Sequence, residues 1–337
     1  MTDPRILPPT PENIEKAARL IREGALVAFP TETVYGLGAN GFDGAACRAI
    51  YAAKGRPSDN PLILHIPQAS GLPALCREIP EKAYALCEAF APGPLTLVLK
   101  KTAAVPNAVS AGLDTVAVRI PSHPVARALL KACGVPIAAP SANKSGSPSP
   151  TTAAHVAADI GAELPLILDG GPCGVGLEST IVSLSGPVPK LLRPGGISLE
   201  ALEAVIGPVE VDGAVFGQLP EGVAPAAPGM KYRHYAPMAE VILLNGTREN
   251  VLNYMAEQKG AGVLCHDGEE GLFPSAGHVI SLGGTQESAA RRLFAALREM
   301  DAAGVPRIYC GLPDKSGVGL AVYNRLLKAA AGRVMEC

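Results

Sequence analysis

Lys54 and Arg56 in KGRPSDNPLILHI (54–66), Arg119 in DTVAVRIP (114–121) and Arg193 in LLRPGG (191–196) are four cations set at or beside apolar, strand-like runs. Three hydroxyl-rich segments accompany them: FPTETVYGLG (29–38), PSANKSGSPSPT (140–151) and LESTI (177–181). Fixed positive charge, hydroxyls and exposed backbone N–H groups at strand ends are what a polyanion requires. A single arginine in an apolar strand is ordinarily half of a structural ion pair, because a buried guanidinium needs a partner. Four cations recurring with hydroxyl loops favour one shared anion site instead. The chemistry indicated is that of an enzyme acting on a phosphorylated substrate.

Other chemistries lack their residues. Gly36, Gly38 and Gly41 spell G-x-G-x-x-G, but they follow a polar PTET segment, and no acidic residue closes the next strand, PLILHI, where a ribose partner belongs. These glycines are expected to permit a turn and close approach of backbone to ligand. There is no G-x-x-x-x-G-K-[ST] phosphate loop, no G-x-S-x-G elbow and no Cys/His pair pointing to an activated thiol. The eight cysteines never form C-x-x-C, and most fall within apolar patterns, so buried reduced thiols are expected. The six histidines show no zinc-ligand spacing, and no protein metal site is expected.

The elements that must position these residues follow from the apolar pattern. Over the first two hundred residues strands are expected at 25–30, 61–66, 94–100, 115–120, 136–139, 165–169, 179–184 and 189–193. Helices fit 11–24 behind a Thr10 cap, 43–55, 80–90, 123–133, 151–160 and 198–206. Residues 207–238 lose the periodicity, are rich in Gly, Pro and Ala, and end in APGMKYRHYAP. Alternation then resumes, with strands at 240–244, 262–266, 278–282 and 306–311 and helices at 248–259, 285–302 and 318–331. The expected organisation is an α/β domain (1–206), a linker (207–238) and a smaller α/β domain (239–337), in keeping with a 337-residue chain too long for one core. With 48% apolar residues and a net charge of −2, a large core is easily filled and binding driven mainly by nucleic-acid phosphates is disfavoured. RNA contact through a local patch is left open. No apolar run is long enough to span a bilayer, and MTDPRILPPTPENIEK lacks the apolar centre of a signal peptide, so a cytoplasmic protein is expected.

FPTETVYGLG, KGRPSDNPLILHI, PGPLTLVLK, TVAVRIP, APSANKSG, ESTIV and LLRPG, in that order, resemble the YrdC/Sua5 family, and the APGMKYRHYAP linker with its trailing domain is similar to the two-domain Sua5 form. The resemblance covers essentially the whole chain. It implies a YrdC-like twisted-sheet domain with a concave, positively lined cleft, followed by a linker and a smaller Rossmann-like α/β domain. It further implies L-threonylcarbamoyladenylate synthesis from L-threonine, bicarbonate or CO₂, and ATP. Pyrophosphate is released, and the adenylate passes to the tRNA threonylcarbamoyl transferase machinery for N6-threonylcarbamoylation of adenosine in ANN-decoding tRNA. By motif, Thr33, His65, Arg119, Ala139 and Ser179 resemble the threonine-binding set. Arg56, Asn60, Thr115, Ser141, Ser149 and Arg193 resemble the ATP-binding set, with Lys54 and Arg56 the charges nearest the chemistry. Mg²⁺ is expected to arrive with the nucleotide. In the linker, Tyr235 is read as a phosphate donor and Lys231 or Arg233 as added charge, making KYRHYAP a strap over the cleft. The bland readings are a core histidine for His65, a turn hydroxyl for Thr33, turn chemistry for Asn60 before Pro61, and simple domain docking for KYRHYAP. Rival functions are an RNA-binding module and a carbamoyl-transfer domain of the hydrogenase-maturation kind, though the acylphosphatase and zinc-finger modules of the latter are missing.

Overall fold

The computed structural model describes residues 3–217, 227, 228 and 235–337. Residues 6–211 supply an eleven-stranded mixed sheet. At its centre lie Gly36–Asn40, Ile137–Ala138, Ile63–His65, Thr115–Arg119, Leu95–Lys100 and Thr180–Ser183, neighbours in that order. Alternation along these strands separates two faces. Leu64, Leu97, Leu99, Val116 and Val118 join the largest core with Ile50, Leu86 and Leu202 from three covering helices, Gly44–Lys54, Glu81–Phe90 and Leu199–Ile206. Ile63, Val98 and Ala117 turn the other way, into a small cluster with Ile181 and Leu192. His65 and Arg119 share the parity of Ile63 and Ala117, so they stand on this second face, the floor of the concave side.

The helix starts follow their expected chemistry. Thr10 accepts from Asn13 N ahead of Pro11–Arg22, Asp43 accepts from Ala45 N and Ala46 N ahead of Gly44–Lys54, and Gly55 ends that helix at φ 58°. Lys54 is thus the last helical residue, placed by the helix instead of by a loop.

Two expectations are corrected. Gly36–Asn40 is a strand, antiparallel to Val27–Phe29 with Gly36 opposite Phe29; it is neither a turn nor a dinucleotide loop. A Cβ on Gly38 would sit 2.9 Å from both the Phe29 ring and Ile137 Cγ2, so glycine is required by sheet packing. The stretch 207–238 is not wholly linker, because Glu210–Val211 pairs in parallel with Lys190–Leu191 and Val215 is buried in the main core.

The smaller sheet, from residues 240–336, holds five parallel strands in the order His278–Ser281, Gly262–Cys265, Arg307–Gly311, Glu240–Asn245, Val334–Glu336. It has the all-parallel, helix-flanked build of Rossmann-like domains without their dinucleotide-binding strand order. Helices Gln286–Ala302 and Gly319–Ala329 cover one face and extend its core onto Val34 and Leu177 of the first domain. All eight cysteines are free and seven are buried.

Candidate active site

One row of sheet register builds the floor of the cleft. His65 pairs with Arg119 across a parallel ladder, and Arg119 pairs with Thr96 across an antiparallel one. Thr96 Oγ1 lies 2.7 Å from Ser179 Oγ in the loop entering the next strand. The wall beside Arg119 is the PTET segment after Val27–Phe29. Thr31 Oγ1 closes that turn, 2.7 Å from Val34 O and 2.8 Å from the hydroxyl of fully buried Thr33. With its one proton on Val34 O, Thr31 accepts from Thr33, so the Thr33 hydroxyl also bonds within its own turn.

Arg119 does have a protein partner, since Nη2 donates to Glu32 Oε1 at 2.7 Å. Glu32 also accepts from Ser122 N at 3.1 Å. Burial pushes the Glu32 carboxyl up, but the Arg119 guanidinium and these N–H groups outweigh it and hold it below the usual range. Arg119 Nε is buried with no acceptor among the described residues. A buried arginine with one donor committed and another unsatisfied is set to receive a carboxylate. Next to it, His65 Nδ1 faces Ile63 O at 3.2 Å, which makes Nδ1 the protonated nitrogen and leaves Nε2 as an acceptor. Burial, followed by repulsion from Arg119, pushes its pKa down to about 3, so the ring is neutral at working pH.

That shift carries a stability prediction. Unfolded histidine titrates near 6.5 and folded His65 near 3, so between these values the unfolded chain binds the extra proton and stability falls as pH is lowered. Half-buried His155, depressed to about 4 mainly by desolvation, adds to the same trend. Urea unfolding from pH 7 to pH 5 is expected to show a declining midpoint, with a shallower decline in His65→Gln. An equal slope in that variant would remove His65 as a cause.

The opposite wall is the SANKSGS loop, and Lys54 holds it. The buried ammonium donates to the carbonyls of Ser141 and Asn143, and Ser145 N returns a bond of 2.9 Å to Lys54 O. Burial and then Arg56 press the Lys54 pKa well below the ordinary lysine value. Lys54 therefore organises backbone more than it presents free charge. Arg56 donates from Nε to Asn60 O at 3.2 Å and from Nη2 to Pro61 O at 3.0 Å. Burial lowers its pKa to about 10, still leaving it cationic.

Arg193 closes the third side. It donates to Ser179 O and Ser179 Oγ, each at 3.1 Å, and reaches Pro228 O at 3.2 Å. Glu178, just before Ser179, accepts the Ser149 hydroxyl and takes Arg325 Nε at 2.8 Å from the second domain. The Tyr235 ring stacks on Phe294 at 5.2 Å between centroids.

These groups converge on one cleft of about 680 Å³, open solvent included. Thr33, Lys54, Arg56, His65, Arg119, Ala139, Ser141, Ser149, Ser179, Arg193 and Tyr235 all line it. Asn60 and Thr115 do not. Carrying the Ile63↔Ala117 register two residues back sets Thr115 beside Pro61, on Arg119's face but about 13 Å further along the strand. Asn60 sits at that same end, with both side-chain amide atoms buried and unpaired among the described residues. Lys231 and Arg233 lie outside the described residues. Sequence reasoning did not assign Glu32, Glu178, Asn143 or Arg325. Glu178 and Glu32 were visible inside quoted motifs, whereas nothing in the sequence marks Arg325. Three lining arginines beside Lys54, against one lining carboxylate, Glu178, that Arg325 already holds, make this a polyanion site; Arg119, tied to Glu32 outside the lining, leaves room for a carboxylate beside it.

Fold and cleft together define an α/β enzyme that binds a polyanion beside a small carboxylate. The family model Sua5_yciO_yrdC, described as "Telomere recombination", matches residues 19–195, and Sua5_C, "Threonylcarbamoyl-AMP synthase, C-terminal domain", matches 197–331. The chain is 50% identical over 334 residues to the threonylcarbamoyl-AMP synthase of Pyrococcus abyssi, covering 96% of this chain and 95% of the relative. It is also 50% identical over 330 residues to that of Bacillus subtilis, covering 96% and 94%. The crystal structure of P. abyssi Sua5 complexed with L-threonine superposes with a TM-score of 0.90 at 49% identity, covering 97% of each chain. The chain belongs to the Sua5/YciO/YrdC family, in its two-domain Sua5 form. Among the described residues no helix is long and apolar enough to cross a membrane.

Proposed function

We infer that this chain is a threonylcarbamoyl-AMP synthase, condensing L-threonine, bicarbonate or CO₂, and ATP into threonylcarbamoyl-AMP and pyrophosphate for tRNA N6-threonylcarbamoyladenosine synthesis. The observation that carries the reading is a single cleft joining a half-satisfied buried arginine, Arg119, to a second group of cations, Arg56 and Arg193.

Threonine is held at the Arg119 end, its carboxylate on the guanidinium donors that Glu32 leaves unused. Thr33, Ala139 and Ser179 shape the remainder of that pocket, and His65 Nε2 accepts from the threonine amine or hydroxyl. ATP lies toward Arg56, with Ser141, Ser149, Arg193 and Tyr235 along it and Asn60 and Thr115 at the far end. The unpaired Asn60 amide supports this placement, since a nucleotide is a partner that could satisfy it. The carbamate oxygen attacks the α-phosphorus and pyrophosphate leaves. The protein contributes alignment and fixed charge instead of a covalent nucleophile.

Mg²⁺ carried by the nucleotide supplies neutralisation of phosphate charge; the hydroxyls of Ser141 and Ser149 are oxygen donors of the right kind to sit near it, consistent with a metal bound mainly through phosphate and water. Pro228 and Tyr235 support a strap that shields the adenylate from water, and faster loss of bound adenylate from Tyr235→Ala on gel filtration would bear on it. The product passes to the transferase machinery, in the cytoplasm. Pyrophosphate release tests the reading: it should require ATP, threonine and bicarbonate together. Release independent of threonine, or RNA binding without any release, would overturn it.

A further inference from the structure

The two domains meet where the nucleotide is placed. Helix Gln286–Ala302 donates from Arg291 Nε to Gly174 O at 2.8 Å, and from Arg298 to both Asp159 and Pro148 O. Gly176, at φ +79°, lies so close that a Cβ there would fall 2.5 Å from the Arg291 backbone. Helix Gly319–Ala329 adds Arg325, fully buried, with Nε on Glu178 Oε2 at 2.8 Å and Nη2 on Glu178 O at 3.4 Å. Arg325 also stands 5.3 Å from the centre of the Tyr235 ring. The second domain therefore grips the two loops that carry Ser149 and Ser179.

We propose that Arg325 is a positioning residue for the nucleotide half of the site, so that the second domain is a working part of the centre formed by the first. The proposal rests on the functional reading above. An ionised carboxylate only accepts hydrogen bonds, so Glu178 held by Arg325 takes the single hydroxyl proton of Ser149. Ser149 then turns lone pairs toward the cleft. It can accept from a hydroxyl or amine of the nucleoside, and it cannot donate to a phosphate. Without the guanidinium, the buried Glu178 carboxyl loses its nearest counter-charge and keeps Arg193, with Lys54 and Tyr235 also facing it; it is then easier to protonate, and protonation frees the serine proton to point elsewhere.

The test uses the full chain and steady-state pyrophosphate release, with ATP and threonine varied separately at pH 6.5 and 8.5. Arg325→Met should lower kcat/KM for ATP on the order of 10–100-fold, as removal of a group that orients a ligand-contacting residue commonly does. KM for threonine should stay near the parent value, and the ATP defect should be deeper at pH 6.5. Parent-like ATP kinetics, or equal losses for both substrates at both pH values, would overturn the proposal. If Arg325→Met does not fold, Arg325→Lys serves in a double-mutant cycle with Ser149→Ala. Acting through the serine, the lysine variant should add nothing to the Ser149→Ala loss, and additive losses would sink the idea. A parent protein that releases no pyrophosphate with all three substrates present would instead count against the functional reading.

Discussion

Arg56→Ala should lower kcat/KM for ATP by roughly 10²–10³-fold, the scale of removing one preorganised donor from developing charge. The guanidinium is half-buried, keeps its charge, and is aimed by two carbonyls of its own loop, Asn60 O and Pro61 O. Its attachment is local, so the lost bonds cost about 1–3 kcal/mol of stability against a usual total of about 5–15 kcal/mol. The variant should fold and still bind threonine. A folded Arg56→Ala protein with parental pyrophosphate release would remove Arg56 from the phosphate site.

Arg119→Lys should raise KM for threonine by about 10–100-fold and leave KM for ATP within a fewfold, since losing a bidentate, charge-assisted contact costs on the order of 1.4–3 kcal/mol. In the parent one donor stays on Glu32 while others remain for the ligand. A lysine ammonium has no such fork, and if it keeps Glu32 it cannot also grip a carboxylate in two places. Calorimetric titration of each ligand separately would decide the matter. A defect confined to ATP would reassign Arg119 to the phosphates.

Much of the scaffold was readable because its signals are local. Thr10 before Pro11, Asp43 before an alanine-rich helix, and the alternation in LTLVLK and TVAVR each require only nearby residues. Gly36–Asn40 escaped because glycine has poor strand propensity; its pairing depends on the Phe29 ring filling the space that side chains would occupy. Ile6–Leu7 and Glu210–Val211 are too short to show a period, and exist because Ile167–Leu168 and Lys190–Leu191 offer them edges.

The sequence by itself determined the kinds of group in the site, since charge type and hydroxyl content survive any fold. Cations near strand ends with hydroxyl loops could be recognised as an anion site before any contact was known. Only the tertiary structure decided how each group is used. Lys54 and Arg56 are two residues apart, yet helix geometry spends Lys54 on the carbonyls of Ser141 and Asn143, 87 and 89 residues away. Arg119 meets Glu32 across 87 residues, and Glu178 meets Arg325 across 147. Such pairings are set by sheet register and by how two domains pack. Neither leaves a local trace, because a buried charge needs some partner but does not specify where in the chain that partner lies.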